Sequence, residues 1–247
     1  EDLSVIDPVL LHRARAATEH ALAQHLEKQL TTKYHSLTTT APYGRDSHSA
    51  GNRALRNVCL TYLMKLESDN VVALATRQFC TADNMTDVLA ALSTLASSHA
   101  PRREKILSDF FQKWQSYPLV VDKWLRVQAT STRSDTLEKV RELTGHVAYD
   151  SGNPNKIYAL IGGFGFSNPV NFHQIDGAGY HFLADQVIRL DRSNPQLAAR
   201  LVGALSHWRR YEPIRQQLMR EQLQRVLSAP QVSRDVAEIG TRTLATS

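Results

Sequence analysis

Asn194-Pro195-Gln196-Leu197-Ala198-Ala199-Arg200-Leu201 opens with an asparagine, places a proline next, and then sets apolar residues three and four apart. An asparagine before a helix accepts a hydrogen bond from a first-turn amide, and proline fits the first helical position because its missing N–H is not needed there. The spacing that follows keeps Leu197, Ala198 and Leu201 on one side of a helix. The same device recurs at Asn153-Pro154 and Asn168-Pro169, and with an aspartate cap at Asp7-Pro8. Four helix starts written in one idiom predict a chain built mainly of helices.

Working outward, the stripe Val9, Leu10, Ala14, Ala17, Ala21, Leu22 and Leu26 predicts a long amphipathic helix from Pro8 to about Tyr34. Residues 38–51, with consecutive threonines, Pro42, Gly44 and Gly51, show no period and predict an exposed, flexible loop. Helices are then expected at 53–67, 70–79, 85–98, 102–116, 119–129 and 135–144, after the three Asn-Pro caps, at 178–191, from Pro213 to Leu227, and at 233–245. No segment alternates with period two, so no strand is predicted. The fold class is all-α. About twelve short antiparallel helices joined by brief links stack most readily as pairs in an irregular right-handed superhelix. Residues 1–247 are expected to form one helical domain.

Lys and Arg exceed Asp and Glu by five among the 247 residues, and the stretch from Arg189 to Arg225 carries an excess of that size on its own. A basic stretch can mark nucleic-acid binding, but arginine is also an ordinary solvated residue of helix faces, and nucleic acid is not the preferred partner. Trp208, followed by Arg209, Arg210 and Tyr211, fits a core or interface position better than a base-stacking one. No apolar run reaches the roughly 18–20 residues of a membrane helix, so no membrane partner is expected. Cys59 and Cys80 both lie in apolar helical patterns and are expected to be core-filling thiols of a reducing, cytoplasmic compartment. With Glu1 in place of Met, the sequence is expected to be processed, a piece of something longer, or numbered from its first ordered residue.

Catalytic motifs are sparse. His-Glu-x-x-His, which sets two zinc ligands on one helix face, is absent. His20 and His25, near Glu27, are five apart and point about 140° from each other on a helix. His173, Asp176 and His181 surround a glycine-rich connection and are a candidate ligand set for an independent hydrolase. Gly165-Phe166-Ser167-Asn168-Pro169 lacks the final glycine and the preceding strand of a serine elbow. Gly162-Gly163-Phe164-Gly165 lacks the Lys-Ser/Thr of a phosphate loop and fits close helix packing. Asp83 reads as a cap or loop carboxylate, and Asp87 as first-turn charge favoured by the helix dipole. Phe110, Phe111 and Trp114, and Trp124 beside Val120, Val121 and Leu125, read as core. The chain carries no self-sufficient catalytic set.

Whole phrases nevertheless carry a resemblance. Asn57-Val58-Cys59-Leu60, Ala82-Asp83-Asn84-Met85-Thr86-Asp87, Leu89-Ala90-Ala91-Leu92 and Val121-Asp122-Lys123-Trp124 with Gln128-Ala129 begin it. Asn153-Pro154-Asn155, Ser167-Asn168-Pro169, Phe172-His173, Asp176-Gly177, Gly179-Tyr180, Asn194-Pro195-Gln196 and Arg200-Leu201 continue it. Across about residues 53–228 the chain resembles the C-terminal helical domain of bacterial-type aminopeptidase N, a gluzincin zinc metallopeptidase family. The resemblance implies a four-domain peptidase that removes N-terminal residues from peptides, with zinc and a general-base glutamate upstream of this piece. It implies that this superhelix closes over the catalytic domain of the same polypeptide and lines a chamber that limits entry to short or unfolded peptides. No metal or catalytic residue is then expected within this chain. Lys156 and Arg200 match places where the family presents positive charge to the chamber. Tyr158 departs from the basic residue expected there, and residues 38–51 are less acidic than in many relatives. The alternative that the residues leave open is a free-standing helical-repeat interaction module using the basic C-terminal stretch.

Overall fold

The computed structural model describes residues 5–39 and 43–245; Thr40, Ala41 and Pro42 of the expected loop, and Glu1, lie outside the described residues. The chain divides into two compact units, one of residues 13–127 and one of the residues up to His12 with those from Gln128 onward. No helix among the described residues is long and apolar enough to cross a membrane.

The first unit is built from most of α1 (Pro8–Ser36), then α2 (Ser47–Leu63), α3 (Asp69–Thr81), α4 (Met85–Ala96), α5 (Arg103–Trp114) and α6 (Pro118–Ala129). Helix α4 packs on α2, α3 and α5, and Leu60, Leu63, Ala75, Leu92, Leu95 and Leu125 fill the space between them without solvent contact. Phe110 and Trp124 are buried, with the Trp124 indole donating to the Leu107 carbonyl at 2.8 Å. Phe111, stacked 4.8 Å from Trp124, and Trp114 are only half-buried.

Two sequence expectations change here. Helix α2 begins at Ser47 rather than 53, because the Asp46 carboxylate accepts the Ser49 amide at 2.9 Å and Gly51 lies on an open face. A good cap offsets the roughly 1 kcal/mol that an interior glycine costs a helix relative to alanine. On α1, the predicted stripe is only partly covered: Val9 is buried and Leu26 half-buried, but Leu10 is 59% and Leu22 42% exposed, Ala14, Ala17 and Ala21 are exposed as well, and the burial farther along falls on Ala23 and Tyr34 instead. At 100° per residue, Leu10, Ala14, Ala17 and Ala21 lie roughly a third of a turn from the buried set. Most of the stripe is a helix face that these residues leave uncovered.

The second unit contains α7 (Thr136–Leu143), α8 (Pro154–Ile157), α9 (Gly163–Ser167), α10 (Pro169–Phe172), α11 (Ala178–Asp191), α12 (Pro195–Val202), α13 (Pro213–Leu227) and α14 (Arg234–Ala245). All three Asn-Pro devices work as read: Asn153, Asn168 and Asn194 accept the amides of Asn155, Asn171 and Leu197 at 2.9, 3.2 and 3.1 Å. The first two helices are short, of four residues each. The helix begun at Pro154 widens into a π turn, Tyr158–Gly162, before resuming as α9, and Gly162, Gly163 and Gly165 are buried there; a Cβ at Gly162 would sit 3.1 Å from the Tyr158 ring, whereas one at Gly165 would make ordinary contacts. Asn168 also donates to the carbonyls of Ala129 and Ser131 at 2.9 and 2.8 Å, which ties α10 to the chain leaving α6. Phe172 centres an aromatic core, its ring edge-on to Phe164 at 5.8 Å and to Tyr180 at 5.2 Å. Gly179 lets α11 approach this core, since a Cβ there would sit 2.4 Å from the Phe172 carbonyl oxygen. The β pairing found among the described residues is one isolated parallel bridge between Ile6 and Tyr211.

Candidate functional site

His173 follows α10, is 6% exposed, and lies between two tyrosines. Its Nδ1 is 2.8 Å from the Tyr180 hydroxyl and its Nε2 3.3 Å from that of Tyr211. A neutral imidazole has one donor and one acceptor, so two hydroxyls satisfy it and a second proton has no partner. Beneath it, Arg215 donates from Nε to the His173 carbonyl at 2.6 Å, and its Nη1 lies 2.9 Å from Glu212 and 3.4 Å from Asp7. The Glu212 contact is coulombic rather than an aligned hydrogen bond, because Arg215 Nη1 and Glu212 Oε2 lack a hydrogen-bond partner. Burial, with Arg215 as the second cause, lowers the His173 pKa to about 4. Burial raises the Tyr180 and Tyr211 hydroxyls well above their ordinary value. This imidazole is a neutral bridge holding α10, α11 and the start of α13 together.

The proposed ligand trio therefore does not assemble. His181 is exposed and pairs with Asp185 at 3.2 Å, while Asp176 accepts the Ala178 amide at 3.0 Å. Local chemistry explains this: His181 and Asp185 are one helical turn apart, and Asp176 precedes the start of α11. His20, the other candidate, bonds the Lys65 carbonyl at 2.9 Å. Among the described residues no three His, Cys, Asp or Glu side chains gather closely enough to hold a metal ion.

The two basic positions behave differently. Arg200, in the last turn of α12, is exposed and lines a groove of about 510 Å³ with Gln196, Asp235, Glu238, Ile239 and Arg242. Lys156, in α8, is 7% exposed and does not line that groove. Tyr158 is half-buried at the start of the π turn. About half of the basic stretch is engaged within the unit, while Arg192, Arg200, Arg210 and Arg220 are exposed. Arg209 donates to the Thr243 and Leu244 carbonyls at 3.2 and 2.5 Å and lies 4.1 Å over the Trp208 ring. Trp208 itself is buried and donates to the Thr243 carbonyl at 3.1 Å, Arg215 is buried, and Arg225 pairs with Asp185. These residues anchor α14 and α13 rather than forming a continuous free cationic face.

In the first unit the structure assembles a polar centre that the sequence reading missed. Asp87 does lie in the first turn of α4, as read, but it is 2% exposed and accepts from Arg56 Nη2 at 2.5 Å, Asn57 Nδ2 at 2.8 Å and Asn84 Nδ2 at 2.8 Å. Gln78 donates to the Asp87 carbonyl and to Asn57 Oδ1, and accepts from the Tyr34 hydroxyl at 2.8 Å. Asn84 supplies the cap, receiving the Asp87 amide at 3.0 Å, which leaves Asp83 as the loop carboxylate of the two roles read for it. Burial raises the Tyr34 hydroxyl above its ordinary value. The partners come from α1, α2, α3 and α4, so local spacing carries no signal for them. Of the two cysteines, Cys59 is buried and its thiol is pushed up by burial, but Cys80 is exposed, because it sits on the outer side of α3. The expectation of two core thiols is corrected at Cys80.

The described residues are helical throughout both units apart from one isolated bridge, which makes the chain all-α. Residues 1–245 match the family described as "Domain of unknown function (DUF3458_C) ARM repeats", and the chain belongs to that family. It is similar to aminopeptidase N of Caulobacter vibrioides, 39% identical over 238 residues, which is 96% of this chain and 28% of that protein. It is also similar to aminopeptidase N of Escherichia coli, 38% identical over 245 residues, or 99% of this chain and 28% of that protein. Among solved structures, aminopeptidase A of Legionella pneumophila, crystallised in complex with aspartic acid, matches with a TM-score of 0.90 at 31% identity, covering 98% of this chain and 29% of that one. The chain thus spans a little over a quarter of the length of the curated relatives it matches. The likeness read from residues 53–228 extends over nearly the whole chain, and it is to the C-terminal part of aminopeptidase N.

Proposed function

We propose that this chain is the C-terminal helical domain of a zinc aminopeptidase that removes N-terminal residues from peptides, its two units acting as one domain over residues 1–247. The observation that carries the reading is the 37–39% identity to three aminopeptidases N over at least 96% of the chain. The domain closes and lines the substrate chamber, and the zinc ligands and general base belong to the catalytic domain of the same polypeptide. Zinc there supplies an activated water, and the described residues of this chain offer it no ligand set. The uncovered stripe of α1 supports a place within a longer polypeptide, because an end helix of a repeat stack needs a polar outer face to stay soluble by itself. Two free thiols, Cys80 exposed, suit a reducing compartment such as the cytoplasm.

Arg200 and Lys156 are the chamber cations of this reading. Arg200 reaches a substrate carboxylate directly from its groove, and Lys156 acts from a buried position by setting the potential around α8. In purified full-length protein, zinc-dependent release of amino acids from aminoacyl anilides, lost with a chelator and restored by zinc, is the expected result. This chain alone should give none. Arg200→Glu should raise KM for peptides ending in a free carboxylate more than for their C-terminal amides. A full-length protein without zinc-dependent aminopeptidase activity overturns the reading.

A further inference from the structure

The first unit holds a cleft of about 760 Å³ between the end of α1, the start of α2 and the α3–α4 junction. That size suits a small organic ligand. Three arginines reach it. Arg56 is 9% exposed and stacks 5.9 Å from the Tyr34 ring. Its Nη2 is paired with Asp87, while its Nε is buried with no hydrogen-bond partner. Arg53 lies 4.3 Å over the Tyr43 ring and donates to the Gly44 carbonyl at 2.7 Å. The Arg77 guanidinium is exposed and makes no hydrogen bond or ion pair among the described residues.

Two carboxylates share the cleft, and they do not balance this charge. Asp87 is saturated by Arg56, Asn57 and Asn84, and Asp83 accepts from Asn84 at 3.0 Å on the exposed side. A buried guanidinium with an orphaned N–H, beside a second arginine held on an aromatic face and a third left open, is an arrangement that lacks an acceptor. Guanidinium groups match carboxylate and phosphate oxygens in fork geometry. A buried donor left unsatisfied is costly, and an anion near its guanidinium is one way to offset that cost.

The geometry points to this cleft as a binding site for the oxyanion of a small organic molecule, a carboxylate or a phosphate, held by Arg77 and Arg53 over the Arg56–Asp87 pair. Arg77 makes the first contact because it has no competing partner. Arg56 supplies fixed positive charge at the floor, and the aromatic rings of Tyr34 and Tyr43 hold two of the cations in place so that little ordering is needed on binding. The cleft shares no lining residue with the Arg200 groove, and its test does not depend on the peptidase reading, since occupancy is measured as heat rather than hydrolysis.

Calorimetric titration of full-length protein with inorganic phosphate and, separately, with succinate, at ionic strength matched with chloride, tests it. Saturable binding of at least one anion below about 10 mM is expected, weakened about tenfold or more by Arg77→Gln and similarly by Arg53→Gln. Arg192→Gln, the same charge change at an exposed position in the other unit, should leave it unchanged. Tighter binding of phosphate identifies a phosphorylated ligand, and tighter binding of succinate a carboxylated one. Absence of saturable heat for both anions, or equal weakening by Arg77→Gln and Arg192→Gln, overturns the assignment.

Discussion

Replacing His173 by glutamine should flatten the acid sensitivity of this protein. In the folded state the imidazole titrates at about 4, against an ordinary value of 6.5, because it is buried between Tyr180 and Tyr211 above Arg215. Above about pH 6.5 the imidazole is neutral in both states and contributes no pH dependence. As pH falls from there, the unfolded chain takes up a proton that the folded chain refuses, so stability is lost progressively down to about pH 4 and no further from this group. The gap between the two values corresponds to about 3 kcal/mol. Denaturant titrations of wild type and His173→Gln at pH 7, 6, 5 and 4, followed by tryptophan fluorescence, give the difference, in which carboxylate contributions common to both largely cancel. Wild type should lose about 3 kcal/mol more than the variant over this range, although the variant starts lower because both tyrosines lose their imidazole partner. Equal losses by the two proteins would refute a neutral, buried His173.

Three further substitutions probe the packing. Gly179→Ala should lower stability by about 1–3 kcal/mol, since its Cβ meets backbone that cannot step aside, seen as a fall in Tm; an unchanged Tm refutes the close approach. Asp87→Asn leaves Arg56 buried without a counter-charge and should cost about 3–5 kcal/mol in a urea titration, far more than the surface substitution Asp109→Asn. Asn194→Ala removes a cap and should cost about 1 kcal/mol, whereas Asn168→Ala removes a cap plus two bonds to buried carbonyls and should cost about 2–3 kcal/mol by the same assay. Equal costs for the two asparagines would mean that the tie from Asn168 to residues 129–131 contributes nothing.

The helical character of this chain was legible because its signals are local. An asparagine or aspartate cap acts two or three residues ahead, a first-turn proline acts at once, and apolar residues three and four apart mark one face; Asn153, Asn168, Asn194 and Pro213 therefore sit where the sequence puts them. Phrase-level likeness carried the family as well, since it samples many such local choices together. Tertiary structure alone decided the rest. Asp87 and Arg56 are 31 residues apart, and Arg215 and the His173 carbonyl 42, so no spacing rule joins them, and only chain packing turns a dipole-favoured carboxylate into a buried ion pair and a loop histidine into a neutral bridge. Periodicity shows that α1 has an apolar stripe but not what covers it, and beyond Val9 the neighbours in this chain bury Ala23 and Tyr34 instead. A period has no knowledge of which face finds a partner, because burial is settled by the surfaces that other elements bring.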